Sequence, residues 1–389
     1  MLRLLIVLVV AFEITAAPKR PFPQHTRYAS GTILPSHRVQ AQLDDDVRAY
    51  YAVWKSTFLK QDGSLYRVSF GSTNPARTVS EGQGYGMVIV AMMAGHDPDA
   101  QQIFDGLWKF ARKYPSRGDS RLMAWQVPPG TDSSAFDGDA DIAYGLLLAH
   151  AQWGSDGAID YRDDARDVIA GILASTIGQQ SRLPTLGDWV EPDGTKYNQY
   201  TVRTSDFMPA HFRAFGWPKV VKATQALIDA LQREHALVPD FVVDGAPAPP
   251  HFLEAASDGD YGYNAGRVPW RLGTDAVLHG DRKSRDQARR ITQWARIATN
   301  GDPLKLRGGY RLDGTPLPDR DYFTIFFASP IGVAAMTDAA QQEWLNDIYE
   351  TVRERHEDYY EDSVTMLCLL VMSGNAWSPI ETRRRPARH

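Results

Sequence analysis

Residues 78–88 read Thr-Val-Ser-Glu-Gly-Gln-Gly-Tyr-Gly-Met-Val and open a segment that stays apolar up to residue 94. A helix over 80–94 would be hydrophobic on nearly every side, which is typical of a fully buried helix. Ser80 is a good helix N-cap and Gln83 follows three residues later, so the spacing predicts a capping box. Glu81 would then lie at the open start of this helix, followed by glycines that carry no side chains to screen it.

Further helical segments alternate in character along the chain. Amphipathic patterns predict helices over 42–60, 98–113, 162–176, 219–235, 283–299 and 339–355. Largely apolar patterns predict helices over 80–94, 138–153, 205–216, 263–279, 322–336 and 361–373. Twelve helices that alternate in this way predict an all-α (α/α)6 barrel, with six inner and six outer helices in one domain. A helical-repeat solenoid fits less well because no motif recurs at a fixed period, and few strands are expected, the clearest at 241–243.

The alternation also predicts where polar residues should gather, because all inner helices of such a barrel begin at the same end. Polar residues stand at five of these starts: Ser80 and Glu81, Asp137 to Asp141, Ser205 and Asp206, Tyr261 to Asn264, and Asp362 and Ser363. Each group alone is a helix cap, but together they bring several acids to one mouth of the barrel. Helix dipoles there lower carboxylate pKa values, so a group that acts as an acid needs burial or neighbouring acids to offset them.

The composition argues against several kinds of site. The 389 residues carry a net charge of −5 with mixed signs, so there is no basic field for nucleic acid. The single cysteine, Cys368, lies in an apolar run and is expected to be buried, so no disulfide can form within the chain. No Cys/His spacing typical of a metal site occurs, and we expect neither a metal nor a cofactor.

The two ends of the chain differ from the helical region. Residues 1–17 combine one positive charge, a short apolar stretch and Thr-Ala-Ala, which predicts a signal peptide cleaved near Ala17. The apolar stretch is too short for a membrane span, so we expect a secreted or periplasmic protein. Residues 18–40 are predicted to form an extended leader, 41–377 the helical domain, and 378–389 a basic C-terminal tail.

Acids and aromatic residues at one mouth, without a metal cluster or a phosphate-binding loop, indicate sugar chemistry. Hydrolysis of a glycosidic bond needs one carboxylic acid to protonate the leaving oxygen and a second carboxylate to attack or to activate water. Aromatic rings suit the apolar faces of sugars, and the long loops carry Trp125, Trp189, Tyr197 and Tyr200. Any one Trp is more often a packing residue, but several on polar loops favour a binding role.

Three ordered motifs carry a resemblance to a known family. Residues 80–87 read Ser-Glu-Gly-Gln-Gly-Tyr-Gly-Met, 135–139 read Ala-Phe-Asp-Gly-Asp, and 263–271 read Tyr-Asn-Ala-Gly-Arg-Val-Pro-Trp-Arg. Each resembles a signature segment of glycoside hydrolase family 8, and the resemblance spans roughly residues 42–377. It implies an (α/α)6 barrel and an inverting endo-β-glycanase.

The resemblance also implies roles for individual residues. Glu81 corresponds to the general acid, and Asp137 to a carboxylate at the cleavage subsite that distorts or stabilises the sugar. Trp125, Tyr263 and Arg267 fall where the family contacts substrate. The remaining expected substrate-binding residues are Tyr85, Trp189, Tyr197 and Asn264.

The sequence departs from the family pattern at two positions. Phe136 stands where the second motif usually has Ser or Thr, and Asn264 stands where cellulase-type members have an Asp as general base. The subgroup of lichenases and chitosanases is similar to this sequence at Asn264 and supplies a Glu from the preceding loop. Glu254 is the matching candidate, with Asp258 and Asp260 as rivals. An inverting pair of Glu81 and this base would hold its carboxyl groups roughly 6.5–9.5 Å apart.

We therefore expect a secreted, monomeric endo-β-1,4-acting glycanase with a polysaccharide substrate. Mixed-linkage β-1,3-1,4-glucan is the first expectation, chitosan the second and cellulose the third. A polysaccharide lyase would need a Tyr or His base, and His211 and His251 lie in no recognisable motif for one. A non-enzymatic glycan-binding protein, with Asn264 as the lost base, is the other alternative.

Overall fold

A computed structural model describes residues 17–128, 130 and 132–380. Its inner helices are α2 (Ser80–Met93), α4 (Phe136–Trp153), α6 (Pro209–Ala214), α8 (Val268–His279), α10 (Ile325–Ala335) and α12 (Tyr359–Met372). Its outer helices are α1 (Gln40–Phe58), α3 (Ala100–Lys113), α5 (Tyr161–Ser175), α7 (Pro218–Leu231), α9 (Arg282–Ala298) and α11 (Gln342–Val352). The predicted signal peptide up to residue 16, and the tail beyond Ile380, lie outside the described residues.

The inner helices form a closed ring, since each packs against the next and α12 packs against α2. Each outer helix lies against the inner helix that precedes it, and α1 lies against α12. Burial follows the sequence pattern: all of α10 is buried, whereas α9 buries only one side. The predicted (α/α)6 barrel is confirmed. Within the described residues, no helix is both long and apolar enough to cross a membrane.

The predicted capping box at the start of α2 is wrong. Val79 is the N-cap residue, and no side chain caps this helix. Gln83 instead donates from Nε2 to the carbonyl oxygen of Leu107 (2.8 Å), and its Oε1 accepts from the backbone N–H of Val68 (3.2 Å). The amide therefore ties α2 to the neighbouring α3 and to a strand at the mouth.

The glycines of α2 serve helix packing and do not leave Glu81 unscreened. A Cβ on Gly84 would lie 2.7 Å from the Cβ of Asp141 in α4. A Cβ on Gly82 would lie 2.8 Å from the ring of Tyr359 in α12. The two glycines let three inner helices approach closely, and they bring the Tyr359 ring over the start of α2.

Short strands lie in the connections. They are β1 (Leu59–Asp62), β2 (Leu65–Val68), β3 (Thr78–Val79), β4 (Gln126–Val127), β5 (Thr201–Arg203), β6 (Phe241–Val243) and β7 (Ala246–Pro247). All pair antiparallel, as β1–β2, β3–β4 and β5–β6–β7. The strand predicted at 241–243 is confirmed as β6. Because β3 runs directly into α2, and β5 leads through a short 3-10 turn to α6, these pairings fix two inner-helix starts.

Residues 17–39 contain no helix or strand and run across the end of the barrel opposite the mouth. Their backbone N–H groups donate to carbonyl oxygens at or just beyond the C-terminal ends of five inner helices. The pairs are Lys19 to Gln152, Phe22 to Ala94, Thr26 to Gly374, Ala29 to Val277, and Ile33 to Met336. These carbonyl groups lack intrahelical partners at a helix end, so the segment satisfies them and closes the barrel.

We expect Phe22→Ala to lower the free energy of unfolding by about 3 kcal/mol, because truncating a buried Phe leaves a cavity. The Phe22 side chain is buried, packs against His96 and lies under the Arg48 guanidinium. Denaturant titration measures the change. Val39→Ala is the matched control, since Val39 is 66% exposed. Equal unfolding midpoints for the two variants would show that the segment does not stabilise the barrel.

Candidate active site

A cavity of about 450 Å³ opens at the N-terminal ends of the inner helices. Its charged lining residues are Glu81, Asp137, Glu254, Asp358, Glu361, Arg77, Arg203 and Arg267. Its aromatic lining residues are Phe70, Trp125, Tyr263, Tyr359 and Tyr360. Of the acids predicted at this mouth, Glu81 and Asp137 line the cavity, together with arginines. The others are buried and do not line it: Asp139, Asp141, Asp206 and Asp362.

Arg267 lies at the start of α8, is almost fully buried and binds several polar side chains of this cavity. Its Nη1 lies 2.7 Å from Glu81 Oε2, 2.8 Å from Asp137 Oδ2 and 3.1 Å from the hydroxyl of Tyr85. One guanidinium group thus holds the carboxyl groups of two different inner helices. Tyr85 does not line the cavity but lies beneath it, with its hydroxyl against Arg267.

Burial raises the pKa of Glu81, and the Asp137 carboxylate raises it further. Arg267 and the Tyr359 hydroxyl, which donates to Glu81 Oε1 at 2.7 Å, oppose the shift without cancelling it. Burial and a neighbouring acid therefore offset the helix dipole, as a general acid at this end of α2 requires.

The pKa of Asp137 shifts in the opposite direction. Burial alone would raise its pKa, but Arg203 and Arg267 outweigh burial and hold the pKa well below its usual range. Arg203 Nη2 lies 2.9 Å from Asp137 Oδ1, and the N–H of Gly138 donates to the same oxygen at 2.9 Å. The environments of Glu81 and Asp137 thus shift their pKa values in opposite directions, which is the pattern expected of a pair in which one carboxyl acts as an acid and the other stays a carboxylate.

Asn264 joins the loop acid to this network. Its Nδ2 donates to Glu254 Oε2 at 3.1 Å, and its Oδ1 accepts from Arg267 Nη2 at 3.1 Å. The backbone N–H of Asn264 is bound by buried Asp240, whose Oδ1 also accepts from Gly262 and Ala265. Burial, supported by the charge of Glu254, raises the pKa of Asp240 to about 7.

The two rival acids of the loop lie elsewhere. Asp258 is buried, and its carboxylate accepts from the backbone N–H groups of Leu253 (2.7 Å), Glu254 (3.0 Å) and Ala255 (2.8 Å). It therefore shapes the turn that carries Glu254. Asp260 does not line the cavity either, so of the three candidates only Glu254 faces it.

The predicted aromatic residues divide between two places. Trp125 and Tyr263 line the cavity. Trp189 and Tyr197 do not; their rings pack edge to face at 5.1 Å in a separate cluster beside Phe252. The Tyr197 hydroxyl donates to the carbonyl oxygen of Phe252 at 3.1 Å, so this cluster supports the loop that carries Glu254.

The unusual Phe136 is a core residue. It is fully buried and packs edge to face against Phe212 of α6, at 6.1 Å between ring centroids. Its side chain therefore turns away from the cavity while the next residue, Asp137, faces it.

Sequence reasoning missed Arg203, Tyr359 and Tyr360. The two tyrosines are the first residues of α12, which begins at Tyr359, whereas the sequence predicted its start at 361 and so left both outside the helix. Arg203 lies in the three-residue β5, which carries no periodic signal, and its proximity to the Ser205-Asp206 helix start is the one sequence feature that could have indicated it.

A carboxyl with a raised pKa, a neighbouring carboxylate with a lowered pKa and aromatic walls at the mouth of an (α/α)6 barrel are the groups that hydrolysis of a glycosidic bond needs. The family model described as Glycosyl hydrolases family 8 matches residues 26–374, and the chain belongs to that family. The resemblance inferred from the three motifs is confirmed.

Similar proteins match this chain over nearly its whole length. A "Beta-glucanase" of Niallia circulans is 41% identical over 96% of this chain and 95% of its own. An "Endoglucanase" of Bacillus sp. (strain KSM-330) is 38% identical over 96% of this chain and 85% of its own. The apo structure of a β-1,3-1,4-glucanase from Paenibacillus sp. X4 superposes with a TM-score of 0.89 at 39% identity, covering 93% of this chain and all of that one.

Proposed function

We propose that this glycoside hydrolase is an inverting endo-β-glycanase that cleaves β-1,4 linkages in mixed-linkage β-1,3-1,4-glucan. The observation that carries the proposal is the presence, in one cavity, of Glu81 with a raised pKa and of a second carboxylate, Glu254, on the opposing loop. The relatives are named as a beta-glucanase, an endoglucanase and a β-1,3-1,4-glucanase, and these names favour a β-glucan over chitosan.

Glu81 is the proposed general acid. It gives its proton to the glycosidic oxygen as the bond from the anomeric carbon to that oxygen breaks. Arg267 and Tyr359 already point donors at its two carboxyl oxygens, so they stabilise the carboxylate that this proton transfer leaves behind.

Asp137 stays ionised and does not move a proton in this mechanism. Positive charge develops at the anomeric carbon in the transition state, and a carboxylate held by Arg203 and Arg267 is a fixed negative group beside it. We propose that Asp137 stabilises this charge and binds the distorted sugar.

Glu254 is the proposed general base. It removes a proton from the water that attacks the anomeric carbon on the face opposite to the leaving group. Asn264 occupies only Oε2 of Glu254, and among the described residues no donor is bound to Oε1, which remains available for that water. Asn264 thus acts here as the group that orients the base.

The aromatic residues of the cavity, Trp125 and Tyr263, are the proposed sugar platforms. Trp189 is 40% exposed beside the Glu254 loop, and we propose that it and Tyr197 bind the glucan chain outside the cavity. Tyr85 would act through Arg267, since its buried hydroxyl contacts that guanidinium.

Parallel assays of barley-type β-glucan, chitosan and carboxymethylcellulose test the proposed activity. We expect the largest kcat/KM on mixed-linkage glucan, with viscosity falling well before most reducing ends appear, as endo cleavage requires. A preference for chitosan would support the chitosanase alternative. Binding to all three without turnover would support the glycan-binding alternative, with Asn264 as the lost base.

Export is part of the proposal, because a polymeric glucan is degraded outside the cytoplasm. We propose that the chain is cleaved near Ala17 and acts as a monomer in the periplasm or medium. N-terminal sequencing of the exported protein and size-exclusion chromatography test these two statements. Uncleaved protein retained inside the cell would contradict the first.

We expect Tyr359→Phe to move the alkaline limb of the kcat/KM profile to higher pH. The Tyr359 hydroxyl donates to Glu81 and lowers its pKa, so removing it raises the pKa and keeps the acid protonated further into the alkaline range. Tyr360→Phe is the control, since the Tyr360 hydroxyl donates to the carbonyl of Tyr263. A limb that stays in place or moves to lower pH would contradict Glu81 as the acid.

A further inference from the structure

Arg77 is the arginine of the cavity lining that the mechanism does not use. Its guanidinium lies over the ring of Phe70 at 4.2 Å and over the ring of Trp125 at 5.4 Å. The backbone around it is held, because its carbonyl accepts from the N–H of Phe70 and its N–H donates to Asn74. The guanidinium therefore makes cation–π contacts with two aromatic rings that line the cavity.

Arg77 also differs from the other two arginines in its partners. Arg203 and Arg267 are paired with carboxylates at 2.7–3.1 Å. Among the described residues Arg77 makes no ion pair and no side-chain hydrogen bond, and its Nε is buried without a partner. No carboxylate of the described residues therefore contacts the Arg77 guanidinium, and a ligand that enters the cavity can interact with its charge.

Two further acids of the lining form no ion pair with Arg77 in the part of the chain that the structure describes. Asp358 is occupied by the N–H and hydroxyl of Ser72 and by the N–H of Tyr359. Glu361 lines the cavity too, where burial and neighbouring acids raise its pKa, and among the described residues it makes no ion pair with Arg77.

Arg77 is connected to the proposed general acid through two aromatic rings. Its partner ring, Phe70, lies 5.0 Å from the ring of Tyr359, and the Tyr359 hydroxyl binds Glu81. Arg77 and Glu81 line the same cavity, so a glycan chain that fills the cavity can contact this guanidinium as well as the general acid.

We propose that Arg77 is a specificity-determining residue that selects neutral glucan and disfavours cationic, glucosamine-containing glycans. The inference rests on the proposed function and adds the substrate class to it. A guanidinium donates hydrogen bonds to sugar hydroxyls, whereas a like charge on the ligand is repelled in a partly desolvated site. Naturally specific sites often combine a group that repels the wrong ligand with contacts that attract the right one.

The test compares Arg77→Gln, Arg77→Lys and wild type on mixed-linkage glucan and chitosan. We expect Arg77→Gln to raise the chitosan-to-glucan ratio of kcat/KM by about tenfold, since it removes the repulsive charge, and Arg77→Lys to keep the wild-type ratio. The difference between wild type and Arg77→Gln should shrink as salt screens the repulsion. Arg290→Gln, on the exposed side of α9, removes the same charge outside the cavity and should leave the ratio unchanged.

Binding in a Glu81→Gln background separates this inference from the proposed function. Affinities for neutral β-glucan and cationic chitosan oligosaccharides are measured with and without Arg77→Gln, so no turnover is needed. A wild type without glucanase activity would overturn the proposed function, while a chitosan affinity that rises in the Arg77→Gln variant would still support the inference. An unchanged affinity ratio, or a wild type that prefers chitosan, would overturn the role of Arg77.

Discussion

Glu81→Gln is expected to lower kcat on mixed-linkage glucan by about a thousandfold, the range typical of a lost general acid. The substitution keeps the size of the side chain and removes the proton that the leaving oxygen needs. A substrate whose leaving group needs no protonation, such as a dinitrophenyl β-glycoside of a glucan oligosaccharide, should lose far less activity. Steady-state kinetics on the two substrates measures the difference.

The exposed Glu343→Gln on the outer helix α11 is the matched control, because it makes the same chemical change away from the cavity. Its kcat should equal that of wild type. Equal losses of the Glu81 variant on both substrates would contradict the acid role, and would point to a general disturbance of the Arg267 network.

Glu254→Ala is expected to lower kcat by a similar factor, but with the opposite pattern of rescue. Leaving-group activation should not restore turnover, because the missing function is activation of water. Azide can attack without losing a proton, so it should restore turnover and yield a glycosyl azide of inverted anomeric configuration. Product analysis by NMR identifies that adduct.

Asp258→Asn serves as the comparison within the same loop. Asp258 binds three backbone N–H groups around Glu254, so its loss should loosen the loop and weaken activity, without any rescue by azide. Azide rescue of the Asp258 variant alone would instead assign the base to Asp258. Full activity of Glu254→Ala would contradict the proposed base.

The fold was largely predictable because the barrel repeats one physical pattern. A helix buried on all sides reads as continuously apolar, and a helix on the outside reads as amphipathic, so α10 and α9 can be told apart from their residues alone. The alternation of apolar and amphipathic helices also predicted that the inner helices close into a ring. The starts of α6 and α8 were predicted four or five residues early, because 3-10 turns at Thr204–Asp206 and Ala265–Arg267 precede them.

The features that could not be predicted depend on partners distant in sequence. Gln83 has the spacing of a capping residue, but its amide is used by Leu107 and Val68 instead. The residues before α1 carry no periodicity, because they bind helix ends through their backbone and not through a patterned face. The local sequence pattern therefore does not predict the partners of Gln83 or the backbone contacts of the residues before α1.

The sequence motifs predicted individual residues of the site, but they did not predict the contacts between those residues. Glu81, Asp137 and Glu254 were all expected, and all line the cavity. The contact of Asn264 with Glu254 brings together residues ten positions apart across a loop and a turn. That Arg203 would hold Asp137 followed only once β5 was placed beside the mouth.

The central claim is that Glu81 and Glu254 act as an inverting acid and base. The most direct test is proton NMR of the first product released from mixed-linkage glucan, recorded before mutarotation. The account predicts that the new reducing end appears first as the α-anomer, because water attacks opposite to the β-linked leaving group. Initial appearance of the β-anomer would show retention and would contradict the assignment of Glu254 as a base that activates water.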